Sequence, residues 1–147
     1  MKLFCDKYII VMEIDIEKRV EKAKEYHQSG YNCAQSVFLA YSDILGIDED
    51  VASKLSLPFG GGMGGMHEVC GCVSGMMMCT GFIKDIKRNN YPYVRDVAAE
   101  YKAEVGSIIC KELLGLVPAN PPLVKRPCVE YVGIAARIIG ERLKRDL

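Results

Sequence analysis

Hydrophobic positions along this chain recur with helical spacing. In IEKRVEKAKEYHQ, residues 16–28, Ile16, Val20 and Ala23 return every three or four positions among charged residues. Asp15 stands before the run as an N-cap, and Ser29-Gly30 stops it. Asn32 caps CAQSVFLAYSDIL, which Gly46 ends, and Asp48 caps a short helix through Leu57, closed by Pro58. The run from about Glu68 to Lys87 is apolar around nearly its whole circumference and predicts a helix buried by its neighbours. Pro92 is placed at the first turn of YVRDVAAEYKAEVGSIICKELL, which Gly115 ends, and Pro127 opens CVEYVGIAARIIGERLKR. Few runs alternate with period two. The pattern predicts an all-α, single-domain bundle of five to six helices around a central apolar, cysteine-bearing helix.

Residues 1–14 precede the first clear cap and read as an N-terminal extension, with 15–147 as the domain. Met12 offers an alternative start, so Met1–Val11 are expected to be dispensable. The chain of 147 residues suits one domain with a real core. Nineteen Lys and Arg balance nineteen Asp and Glu, so no basic excess points to nucleic acid. The longest uncharged run, Val69–Ile83, falls short of the roughly 18 residues that suggest a membrane span, so no membrane insertion is expected.

Seven cysteines change the picture. Asp6 and Lys7 interrupt the early apolar run and no small-residue cleavage site follows, which argues against a secretory signal. The expected setting is the reducing cytoplasm, where cysteines serve redox chemistry or metals more often than structural cross-links. No C-x-x-C occurs, so neither a thioredoxin-type pair nor a zinc ribbon is written locally. Position is more informative. Cys33 follows the cap Asn32, Cys70 lies in the first turn of the central helix, and Cys128 follows Pro127. Free amides and the positive end of the helix dipole favour thiolate at such places. Cys5, Cys72 and Cys79 read as small buried hydrophobes.

FGGGMGG, residues 59–65, formally contains G-x-G-x-x-G at Gly60, Gly62 and Gly65. The segment before it reads as a helix ended by proline, no βαβ unit surrounds it, and no Lys-Ser or Lys-Thr follows. It therefore reads as a flexible entry to the central helix. His67, three residues before Cys70, is a candidate base for that thiol or an extra metal ligand; His27, at the end of the first helix, reads as structural.

Five segments together resemble a known family: GYNCAQSV at 30–37, FGGGMG at 59–64, CGCVSG at 70–75, CKELLG at 110–115 and CVEYV at 128–132. They are similar to the C_GCAxxG_C_C family of redox-active proteins, and the similarity runs from the first helix onward. It carries the family's four cysteines onto Cys33, Cys70, Cys110 and Cys128, and its motif glycines onto Gly71 and Gly75. Cys72 departs from the pattern by standing where the motif has alanine. The resemblance implies thiol/disulfide or electron-transfer chemistry, in association with oxidoreductases and a redox partner protein. Cys70 is then the expected attacking thiolate, resolved by Cys33 or Cys128. One alternative is that the same four sulfurs hold an iron–sulfur cluster or another soft metal, with His67 as an added ligand. Another is a structural domain whose cysteines are core. Covalent c-type haem is not expected, since C-x-x-C-H is absent. A helix turns two residues by about 200°, so Cys72 is expected to point away from Cys70, along the Met76, Cys79 and Ile83 face.

Overall fold

The computed structural model describes residues 13–147, and its described part is all-helical. Among the described residues seven α-helices follow in order: α1 (Ile16–Gln28), α2 (Cys33–Leu39), α3 (Glu49–Ser56), α4 (Gly71–Ile83), α5 (Lys87–Val105), α6 (Cys110–Leu113) and α7 (Cys128–Asp146). A 3-10 turn, Leu57–Phe59, follows α3. The expectations on Met1–Val11 and on Cys5 lie outside the described residues. Ile14, at the end of the proposed extension, is buried, and its carbonyl accepts a hydrogen bond from Lys144 Nζ at 3.1 Å.

The caps form as the sequence predicts. Asp15 accepts from the Lys18 amide and Asp48 from the Val51 amide. Asn32 and Gln35 form a reciprocal capping box, which satisfies two otherwise unpaired amides at the start of α2. The same two side chains reach α3: Asn32 Nδ2 donates to the Leu57 carbonyl at 2.9 Å, and Gln35 Nε2 to the Ser53 carbonyl at 3.1 Å. The first residue of α2, Cys33, is thereby fixed from two sides.

Helix α4 is buried along most of its length, with Cys72, Val73, Met76 and Cys79 in the core. It packs on α2, α5 and α7. The approach of α2 is close because α4 has no side chain there. A Cβ on Gly75 would lie 2.8 Å from the Ala34 carbonyl oxygen and 2.9 Å from Val37 Cβ; one on Gly71 would lie 3.2 Å from Cys33 Cβ. On the other side of the core, Tyr41 is fully buried and donates to the Ala136 carbonyl of α7 at 2.7 Å.

Helix α2, expected to reach Gly46, ends at Leu39 and gives way to turns. Three further boundaries differ from the sequence pattern. The central helix starts at Gly71 instead of near Glu68, because residues 67–70 pair with 108–111 in a short antiparallel bridge centred on Val69 and Ile109. The Cys70 amide donates to the Ile108 carbonyl at 2.7 Å, and the Cys110 amide to the Glu68 carbonyl at 2.6 Å. The central helix ends at Ile83, where Lys84 turns extended, and α5 begins at Lys87, which leaves Pro92 inside α5 instead of in its first turn. The ring removes only one helical hydrogen bond there, near the exposed end of the helix. The third difference is at Gly106. It ends α5 in a left-handed conformation (φ 101°), where a Cβ would meet Leu123, so the single helix expected to reach Gly115 is broken in two. Cys110 thus opens its own short helix.

The contrast between two glycines of α4 is testable. Gly75→Ala should lower stability by about 1–3 kcal/mol through overpacking against α2. Gly81→Ala, whose Cβ meets nothing within 4 Å, should stabilise by up to about 1 kcal/mol through helix propensity. Urea unfolding midpoints of both variants beside the parent give the two signs.

Candidate functional site

Six cysteines lie among the described residues, all as free thiols. Four of them meet where α2, α4 and α7 begin. Cys33 is the first residue of α2, Cys70 the N-cap of α4, and Cys128 the first residue of α7. The Cys128 and Cys72 thiols are neighbours of Cys33 sulfur, and Cys72 also neighbours Cys70. Cys70 Sγ lies 3.5 Å from the hydroxyl of Tyr101, a fully buried residue of α5.

The charge on this cluster is uneven. Hydrogen bonds from Cys128 and then Cys72 hold the Cys33 thiol far below its ordinary range, with a smaller contribution from the imidazole of His27. Cys70 is lowered chiefly by the Cys72 thiol and then by Tyr101. The donors move the opposite way. Cys72 is pushed well up by serving Cys33 and Cys70, and Cys128 is pushed up by serving Cys33. Burial raises the Cys79 thiol to about 12. Cys33 and Cys70 are therefore the sulfurs that ionise most readily, and the Cys72 and Cys128 thiols beside them keep their protons. Cys33 and Cys128 are half-buried, whereas Cys70, Cys72 and Cys79 are buried.

Cys72 overturns an expectation. The 200° turn between Cys70 and Cys72 presumes that both are helical, but Cys70 is a non-helical cap (φ −51°, ψ 133°). As a cap it is not bound by that rotation, and Cys72 neighbours both Cys70 and Cys33. Cys79 does lie apart, with its thiol on the Gly75 carbonyl of its own helix.

Cys110 and His67 form a separate pair. Cys110 Sγ lies 3.5 Å from His67 Nδ1. His67 was a candidate partner for Cys70; the bridge between residues 67–70 and 108–111 puts it beside Cys110 instead. The glycine loop is the cause. It is not a loose entry but a chain of hydrogen-bonded turns, with the His67 amide on the Gly61 carbonyl at 2.9 Å and the Glu68 amide on the Gly62 carbonyl at 3.0 Å. Gly62 (φ 68°) lets this layer close, because a Cβ there would lie 2.7 Å from both Cys110 Cβ and His67 Cα. Burial, and then the charge on Cys70 and Cys33, raises the Cys110 thiol to about 11.

Among the described residues, no group of three or more His, Cys, Asp or Glu is arranged to hold a metal ion. None of the described helices is long and apolar enough to cross a membrane.

The family model described as "Putative redox-active protein (C_GCAxxG_C_C)" matches residues 31–142. The chain belongs to this family. No curated protein matches it, and no solved structure does. In this C_GCAxxG_C_C protein Cys33, Cys70, Cys110 and Cys128 all stand at helix starts, and Gly71 and Gly75 are the two glycines of α4 that admit α2.

Sequence reasoning did not single out Tyr101, or His27 as a neighbour of Cys33. Val97, Tyr101 and Val105 share four-residue spacing, which marks Tyr101 as core-facing but not as a partner of Cys70. His27 was within reach of inference, because the turn Ser29–Asn32 is too short to carry Cys33 far from the end of α1.

The donor arrangement predicts a specific pH response. In the parent, iodoacetamide should label Cys33 at about pH 6, well below the ordinary thiol pKa of about 8.5. Cys128→Ala removes the leading donor, so thiolate formation at Cys33 should move up by about one to two pH units, the worth of a hydrogen bond to a charged group. Rates of Cys33 labelling against pH, resolved by peptide mass, check this.

Proposed function

We propose that the protein carries out thiol/disulfide exchange through Cys33 and Cys128. The observation that supports it most is a half-buried Cys33, held low in pKa, beside a second half-buried thiol, Cys128. Exposure favours Cys33 over the buried Cys70 as the attacking sulfur, in contrast to the sequence expectation.

The steps follow from the arrangement. The Cys33 thiolate attacks one sulfur of a partner's disulfide, and the S–S bond of the partner breaks as a mixed disulfide forms. The departing partner sulfur takes a proton. Cys128 then loses its proton and attacks Cys33 sulfur, forming the Cys33–Cys128 bond and releasing the second partner sulfur as a thiol. The partner gains two electrons and the protein loses two; a reductant of the dithiol class reverses the sequence. Donation by Cys128 to Cys33 places the resolving sulfur beside its target before the reaction. Cys70, Cys72 and Tyr101 lie behind the pair, and their hydrogen bonds steady its charge. A redox partner protein and a reducing, cytoplasmic setting belong to this reading.

The test is equilibration of anaerobically purified protein in glutathione buffers, with disulfides located by non-reducing peptide mapping. The expected result is a two-electron couple that ends in a Cys33–Cys128 bond, is lost in Cys33→Ser and Cys128→Ser, and is kept in Cys79→Ala. A coloured protein carrying iron, or an oxidised form whose bond omits Cys33, would overturn the proposal.

A further inference from the structure

We infer that Cys110 and His67 form a second thiol centre, distinct from the Cys33 pair, in which His67 acts as the base that lets Cys110 attack a small disulfide. The pair lies on the side of the molecule built by the glycine loop, with Cys110 Sγ 3.5 Å from His67 Nδ1. His67 holds a left-handed backbone conformation (φ 57°), which is uncommon for a residue with a side chain. Its amide bond to Gly61, and the bond from the Lys111 amide to its own carbonyl at 3.1 Å, hold it there. Backbone strain of this kind, fixed by its surroundings, aims the imidazole at the sulfur.

The chemistry explains why a base is needed. A thiol kept protonated by burial and by negative neighbours is a poor nucleophile near neutral pH. The titratable groups around the pair are the thiols of Cys70, Cys33 and Cys128 and the flanking side chains of Glu68, Lys111 and Glu112, the last held by the Ser107 hydroxyl at 2.9 Å. None of the thiols supplies positive charge, so ionisation before attack is disfavoured. Removing the proton during attack avoids that cost. Neutral His67 accepts the Cys110 proton at Nδ1 as the sulfur bonds to one sulfur of the incoming disulfide. The disulfide's S–S bond breaks, and its departing sulfur takes the proton from the imidazolium. The products are a Cys110 mixed disulfide, a free small thiol and neutral His67. Burial selects the substrate: Cys110 is 8% exposed, too recessed for a disulfide on a folded partner, so the class is a low-molecular-weight disulfide.

The experiment follows the reaction of full-length protein with the neutral disulfide dithiodipyridine across pH, with each mixed disulfide assigned by peptide mass. Two variants remove the ring. His67→Asn keeps a residue type tolerated at this backbone conformation, and His67→Gly relieves it. Both should slow modification of Cys110 by about 100-fold near neutrality, at the low end of what a general base contributes. The deficit should close as the pH approaches about 11, where the Cys110 thiol ionises without help. The rate at Cys33 should not change, so this outcome is independent of whether Cys33 and Cys128 form a redox couple. Equal Cys110 rates in parent and variants, or a deficit that persists at high pH, would overturn the inference. So would a change that affects Cys110 and Cys33 alike.

Discussion

The close approach of α2 to α4 governs the site. Two glycines of α4, at 71 and 75, leave room for Cys33, Ala34 and Val37 to press against the helix. That contact sets Cys33 over the Cys72 thiol, and the start of α7 then supplies Cys128. Side chains on either glycine would separate the sulfurs. The Asn32–Gln35 box acts on the same contact from the other end, because it anchors the first turn of α2 to α3. Packing and chemistry share one cause here: the gap that lets the helices touch is the gap that lets the thiols touch.

The cluster treats charge unusually. Among the described residues, no buried side-chain nitrogen or oxygen lacks a hydrogen-bond partner. The buried sulfurs find partners too: Cys70 meets the Tyr101 hydroxyl, Cys79 the Gly75 carbonyl and Cys110 the His67 ring, while Cys72 sits between Cys33 and Cys70. A thiolate lacking water needs donors, and the neighbours of Cys33 are thiols that become harder to ionise as they donate. Negative charge on Cys33 and Cys70 is thus met by neighbouring thiols rather than chiefly by a basic side chain. The pair Cys110 and His67 differs: there a thiol raised by burial faces an imidazole 3.5 Å away.

The helical class, the caps at Asp15, Asn32 and Asp48, and the burial of the central helix were legible because each depends on neighbours in sequence. The helix-start positions of Cys33, Cys70 and Cys128 were legible for the same reason. What was not legible depends on residues far apart in the chain. The bridge between Val69 and Ile109 shortens the central helix, opens a new helix at Cys110 and turns His67 to that residue. No local pattern announces one isolated bridge. Cys72 was misplaced by a subtler step: ideal helical rotation was applied to Cys70, which is a cap outside the helix. The glycine loop was underestimated because its purpose, closing over Cys110 at Gly62, is visible only in three dimensions.

The central claim is that Cys33 ionises well before Cys128 and Cys72, stabilised by those neighbouring thiols. The most direct measurement is a pH titration of the reduced protein, enriched with carbon-13 at the cysteine Cβ atoms and followed by nuclear magnetic resonance. The account predicts that the Cys33 signal is already that of a thiolate near neutral pH, while the Cys128 and Cys72 signals remain those of thiols well above about pH 8.5. If all three titrate together near about 8.5, or if Cys128 ionises before Cys33, the thiols do not stabilise a charge on Cys33 and the account is contradicted.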